Sequence, residues 1–466
     1  MDRFGKSPKH APCVRQYLLG GILTALSLTA PAANTDCRAV PLLPGTPALP
    51  AREQATGAFC TVDFASENTA ICPKTWSTSA AALVYDLQGT AWENRRVAFE
   101  REVCPRGTHA GDEASREIAV FKHSMNFRDT SGTYAPSILL YDHLSRWLST
   151  TVQVPAAAEY RFGRDWYAQR VVAPGLALAS RHASRKMLLA AWQHLDIALE
   201  TAGNNEGREF LLQDAQAIWG AALLFTGRRY GPEMNGTRES GWGSGQNYDF
   251  QHTAPFLALR NGKELPEAVA QGVHEARSDP AMAHVLPADI NALQVAWWML
   301  EVLDIVVLDY LLGQQDRIGN IDYQWRWVWL DAGKLRSLPA TDGPPPAPTA
   351  RRLRTTWLND NDAGVRSGYA NYARSTGMLT GLRHFNPSLY RRIKTLAADM
   401  AAKGPIYRAI ASNYHLRTHE AEAIAKRAAE VDRVITEDCK AGNYRFDLLP
   451  TAIMGDAPPA VEVNCE

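Results

Sequence analysis

Hydrophobic positions recur with two different periods along this chain, and the changes of period mark its elements. In residues 117–123 (EIAVFKH) a short apolar run between charged residues predicts a strand that carries Lys122. Residues 134–149 place Ile138, Leu139, Leu144, Trp147 and Leu148 at helical spacing, and residues 152–155 (VQVP) follow as an extended segment. A further helix is predicted over residues 182–202. Residues 210–226 fit a helix or a strand, because an apolar run of that length has no decisive period. Residues 231–247, rich in Gly, Ser and Asn, read as loop. A long, mostly apolar helix region covers residues 287–312, interrupted around Asp289. Beyond it, residues 325–330 (WRWVWL) alternate like a strand, residues 339–348 (PATDGPPPAP) form a loop and residues 355–359 return. Trp325, Trp327 and Trp329 share one face of that strand and are expected to pack together, most of the thirteen tryptophans serving the core. From residue 387 to 439 the pattern is helical almost throughout, and there is no internal repeat.

The N-terminus has a different character. Arg3, Lys6, Lys9 and Arg15 precede an apolar run over residues 17–29, and Ala30-Pro31-Ala32 offers a small-residue cleavage site. That run is shorter than the roughly 20 residues a spanning helix needs, so residues 1–33 read as a cleaved export signal and the protein as periplasmic or secreted. No later segment is expected to span a membrane, since the most apolar one, residues 296–312, carries Glu301, Asp304 and Asp309. A proline-rich linker (residues 41–50) follows the signal. Cys13 leaves with the signal, and the six cysteines that remain fit an oxidising compartment. Cys37, Cys60, Cys72 and Cys104 are expected to staple the N-terminal extension. Cys439 either pairs with Cys465 or one of the two reaches back to that group. No C-x-x-C pair points to zinc, and Asn235-Gly236-Thr237 is a glycosylation sequon. With 49 basic and 49 acidic residues the chain has no overall charge for a nucleic acid or an acidic membrane, although local basic patches remain open.

The chemistry concentrates in residues 308–320 (LDYLLGQQDRIGN), where Asp316, Arg317 and Asn320 follow an apolar run ending in Gly313. Phosphoryl transfer asks a protein for a carboxylate that orients an acceptor hydroxyl and for groups that hold a metal ion and the nucleotide phosphates. Asp316 and Asn320 suit two of those tasks, although the same residues also fit a helix C-terminus capped by Gly313. Downstream, Asp362-Ala363-Gly364 supplies a hard oxygen donor and a turn, with Asp360 beside it. Asp331-Ala332-Gly333 has the same local pattern closer to Asn320; Asp362 is preferred. Lys122, on an early strand, is a candidate phosphate contact.

Together these residues resemble the atypical kinase group, which includes secretory-pathway kinases of the Golgi casein kinase and four-jointed type, HipA-like kinases and phosphatidylinositol-kinase-like enzymes. The likeness is good over residues 308–396, partial over residues 118–155 and thin elsewhere. It implies an α+β, two-lobed, protein-kinase-like fold with a mostly helical C-lobe and a disulfide-bearing N-terminal extension. The corresponding segments are residues 34–110 for the extension, 111–285 for the N-lobe and 286–466 for the C-lobe. It further implies that Asp316 and Arg317 form the catalytic loop, that Asn320 and Asp362 (or Asp360) bind Mg²⁺ or Mn²⁺, and that Lys122 contacts the phosphates of ATP. The acceptor would be a hydroxyl of a protein, glycan or lipid, and no nucleic-acid partner is expected. There are departures from the family pattern. Ile318 stands where many relatives have His. The predicted helix over residues 134–146 offers Lys122 only Asp142, not a Glu. The glycine-rich candidates are residues 106–111 (RGTHAG) and, far downstream, residues 241–245 (GWGSG), the latter read as a loop. A pseudokinase and a nucleotidyltransferase therefore stay open as alternatives.

Overall fold

Alternation along the strands gives the larger sheet two apolar faces, and each face collects its own layer. The computed structural model describes residues 35–182, 184–201, 209–212, 214–224, 231–236, 244–340, 343–455 and 461–466. The segment expected to be an export signal (residues 1–33), Thr237 of the sequon and residues 241–243 of GWGSG lie outside them. The fold is mixed α+β with two antiparallel sheets. Strands β1 (Thr35–Arg38), β2 (Thr69–Pro73), β3 (Ala82–Asp86), β4 (Arg116–His123), β5 (Ala157–Gly163) and β6 (Ala217–Leu223) form a six-stranded sheet in the order β1-β5-β6-β4-β3-β2. Within the ambiguous run at residues 210–226, Ala217–Leu223 is a strand. Three of the six strands come from before residue 110, so the sheet spans both sides of the boundary drawn there.

On one face Leu83, Val120, Ala157, Ala221 and Leu223 pack with Ile138, Leu139 and Leu144 of helix α1 (Ala135–Leu148). On the other, Ala82, Phe121, Ala158 and Ala222 pack with Leu188, Trp192 and Leu195 of helix α2 (Lys186–Glu200). The proline-rich segment is not a free linker. Val40 and Leu43 are buried in the first core, and the Pro44 carbonyl accepts a 3.0 Å bond from Trp147 Nε1. Cys37–Cys60 and Cys72–Cys104 staple this region, and Cys439–Cys465 closes the C-terminus on itself. Their sequence separations of 23, 32 and 26 residues make each worth about 3–4 kcal/mol on the chain-entropy estimate.

Helix α3 (Ala292–Leu312) is the axis of the rest. Asn291 caps it by accepting from Gln294 N, and Gly313 ends it at φ 66°, a left-handed conformation that costs glycine nothing. Every residue from Gln294 to Leu312 is buried, including three acids, and among the described residues no helix is long and apolar enough to cross a membrane. Each acid ties α3 to a different neighbour. Glu301 accepts from Thr356 N and Oγ1 on β9 (Arg351–Leu358), and Asp304 accepts from the amides of Thr151 and Val152. Asp309 reaches the loop that follows the helix. A second sheet, β8 (Lys334–Pro339), β7 (Ile321–Asp331) and β9 in that order, lies beside α3. Helices α4 (Pro387–Ala401) and α5 (Thr418–Lys440) close the other side.

Burial pushes Glu301 up to about 8 and Asp304 up to about 7, against the hydrogen bonds that favour their charged forms. Both therefore bind more protons folded than unfolded between their ordinary values near 4 and those raised values, so stability falls as pH rises through that window. The melting temperature should drop by several degrees between pH 5 and pH 8. Glu301→Gln should flatten that dependence, and an identical pH slope in the variant would contradict the assignment.

Candidate active site

Lys122 stands next to last in β4, buried, with its side chain on the face shared with α1. Its Nζ donates to Asp360 Oδ1 at 2.6 Å and to Asp362 Oδ2 at 2.9 Å. Burial alone would lower its pKa, but the two carboxylates hold it above the ordinary lysine value, so it is a fixed cation. Its neighbour His123 points into the opposite core, where burial lowers its pKa to about 3 and leaves it neutral. Neither the α1 acid nor the nearest strand Glu serves Lys122. Asp142 is fully buried but is taken by Arg146, Arg52 and the Ala157 amide. Glu159 shares Lys122's face, since both pair in register with Ala221, yet it is engaged by Arg161 and His415. Lys122 is matched by the two aspartates instead.

Those aspartates are held by their backbone. The segment after β9 runs between the start of α1 and the end of α3. Tyr134 N donates to Asp362 O at 2.8 Å, and Gln315 N donates to Ala363 O at 3.0 Å. A Cβ on Gly364 would lie 2.8 Å from Ser137 Oγ and 3.2 Å from Leu312 O, so glycine is needed there for close approach to both helices. The sharp turn expected at Gly364 belongs to its neighbours, because Asp360 and Val365 adopt φ of 48° and 68°.

The loop after Gly313 is locked from inside. Arg317, only 3% exposed, donates from Nε and Nη2 to Asp309 at 3.0 Å, from Nη1 to Asn359 O at 2.6 Å and from Nη2 to Asn361 Oδ1 at 2.9 Å. Tyr141 of α1 donates to the same Asp309 at 2.7 Å and lies under the guanidinium. Arg317, which the resemblance places with Asp316 in the catalytic loop, is buried and fully engaged, so it braces the loop from inside. Asp316 is solvent-exposed, its amide held by Gln314 Oε1 at 3.0 Å. Partial burial, and then the charges of Asp360 and Asp362, push its carboxyl above the usual range, against Arg317 and Lys122. Asn320 Nδ2 donates to Asp316 O at 2.9 Å, closing the turn.

Asn235 opens the glycosylation sequon. Its side chain is fully buried, donating to Gly231 O and Ile321 O at 2.9 and 2.7 Å and accepting from the amides of Gly319 and Ile321 at 2.8 and 3.1 Å. It is closed to a glycan and instead clamps the turn carrying Asn320. No sequence signal distinguishes it from a loop asparagine. Asp331 falls in the β7–β8 hairpin turn, exposed and paired with Arg336 at 3.3 Å, remote in register from Asn320. Residues 106–111 lie in helical turns between β3 and β4. The loop at the level of Lys122 is the β2–β3 connection, residues 74–81, because Ala82 pairs with Phe121. Among the described residues no three His, Cys, Asp or Glu side chains gather as a metal site.

No protein-family model and no curated protein matches this chain. Among solved structures it is similar to the crystal structure of the Golgi casein kinase with Mn and ADP bound, at 11% identity and a TM-score of 0.40, over 78% of this chain and 71% of that one. A likeness at that level carries no residue correspondence.

The Arg317–Asp309 pair can be tested alone. Arg317→Met strands a buried carboxylate and should cost about 3–5 kcal/mol in urea unfolding, while Arg317→Met with Asp309→Leu should recover part of that loss. A double variant no more stable than the single one would argue against the pair as the loop's brace.

Proposed function

We propose that this protein is an exported phosphotransferase of atypical kinase type, moving the γ-phosphoryl group of ATP to a hydroxyl of a protein, glycan or lipid. The observation that carries the reading is the convergence of Lys122 with Asp360 and Asp362, about 240 residues apart in sequence, beside the exposed Asp316. Asp316 orients the acceptor hydroxyl and takes its proton late, its raised pKa making it a better base than an ordinary Asp. Lys122 binds the phosphates. Asn320, Asp362 and Asp360 offer the oxygens that suit Mg²⁺ or Mn²⁺, and such ions take only one or two carboxylates when phosphates complete the set. The metal, when bound, neutralises charge on the transferring phosphoryl group. Arg317 and Asn235 hold the loop in place and touch no substrate. The disulfides and the N-terminal signal support a location outside the cytoplasm.

One observation favours a second reading. Lys122 is bound by both candidate metal ligands and by no carboxylate from α1. A pseudokinase that binds nucleotide without turnover would keep that arrangement.

The full chain should be incubated with ATP labelled at the γ- or the α-phosphate, with Mg²⁺ or Mn²⁺ present. Asp316→Ala should lower γ-transfer by about 100-fold or more while leaving nucleotide binding intact. Asp362→Ala should abolish both the transfer and the metal-dependent thermal shift. Binding without transfer would select the pseudokinase, and label retained from the α-phosphate a nucleotidyltransferase. No nucleotide binding at all would falsify the whole reading.

A further inference from the structure

The sheet formed by β7, β8 and β9 has one face that packs inward and one that does not. Val328 and Leu353 are fully buried on the inner face. Strand alternation and register assign the opposite face. Trp325, Trp327 and Trp329 lie along β7, Trp327 pairs with Leu338 and Arg352, and Trp329 pairs with Arg336. These tryptophans, expected in the core, are solvent-accessible. Trp325 is 38% exposed and Leu338 is 51% exposed, while Arg336 and Arg352 are exposed beside them. Arg352 sits over the Trp325 ring at 4.8 Å.

We propose that this face is a docking surface for an anionic lipid membrane. Three properties select that occupant. Tryptophan prefers the boundary between headgroups and acyl chains, where its ring is apolar and its N–H is wet. Leu338 protrudes beside the rings, and an aliphatic side chain gains by entering acyl chains but offers little to a sugar or a base. Arg352 can pair with lipid phosphates, as can Arg336 from its exposed pairing with Asp331, and residues 321–358 carry six Arg and Lys against three Asp in a chain whose total charge is zero. Net positive charge is thus local, in a chain whose charges otherwise balance.

The surface is separate from the phosphotransfer site and does not rest on that reading. Its near end is covered, since Glu233 pairs with Arg354 and Gly231 lies against Tyr323. From there the rings lead away from Asn320 along the strand. Another chain adding to the sheet would meet β8, an edge strand with Lys334, Arg336 and Pro339, residues that discourage strand pairing.

The test is co-sedimentation of the protein, recovered from exporting cells, with vesicles of phosphatidylcholine alone or with phosphatidylglycerol added. Binding is expected to require phosphatidylglycerol and to weaken at high salt. Arg336→Glu with Arg352→Glu should lower partitioning by roughly 100-fold, and Trp325→Ser with Leu338→Asp should lower it while the binding that remains stays salt-sensitive. Circular dichroism and melting of each variant against wild type separate docking from folding. Equal partitioning of wild type and folded variants would overturn the proposal. So would an absence of vesicle binding, or variant-sensitive binding to a soluble anionic polysaccharide alone.

Discussion

A buried guanidinium holds the candidate site together. Arg317 is reached by Asp309 from α3, by Tyr141 from α1 and by Asn359 and Asn361 from the segment after β9. Removing such a charge from water is costly, and the cost is offset only because its donors find acceptors and an aromatic face lies against it. The arrangement places Asp316 at the surface while fixing the chain on either side. Asn235 does the same for Gly319 and Ile321 with a neutral carboxamide. Between them, the turn from Asp316 to Asn320 has little freedom left.

The same economy recurs in α3. A helix of 21 residues buried along almost its whole length carries three acids, each directed at a different neighbour. Glu301 holds β9, Asp304 holds the turn before β5, and Asp309 holds Arg317. Apolar packing sets the distance of α3 from its surroundings, and the acids set the register. That register brings the end of β9, and with it Asp360 and Asp362, to the end of β4, where Lys122 meets them.

Much of this was readable from periodicity. The strand bearing Lys122, the helix after it, the long apolar helix and the returning strand all stand where alternation and helical spacing put them. Of the two Asp-Ala-Gly patterns, the one at Asp362 meets Lys122, whereas Asp331 sits in a hairpin turn. What periodicity could not show was contact between distant segments. Asn235 looks like any loop asparagine until Gly319 and Ile321 arrive beside it. Arg317 adjoins Asp316 in the sequence, and only burial shows that the two side chains face opposite ways. The tryptophans of β7 alternate as a core face would, and alternation alone cannot tell which face of a sheet meets solvent. The residues at 74–81 lack the glycines that would have advertised a loop near Lys122.

Lys122 supplies the cation between Asp360 and Asp362 when nothing else does. Mn²⁺ binding to the full chain without nucleotide, followed by electron paramagnetic resonance in wild type and Lys122→Met, puts this to the test. With the ammonium removed, the two carboxylates are free for the metal, and Mn²⁺ should bind the variant more tightly than wild type. An affinity unchanged or lowered by Lys122→Met, in a variant that still folds, would contradict the claim.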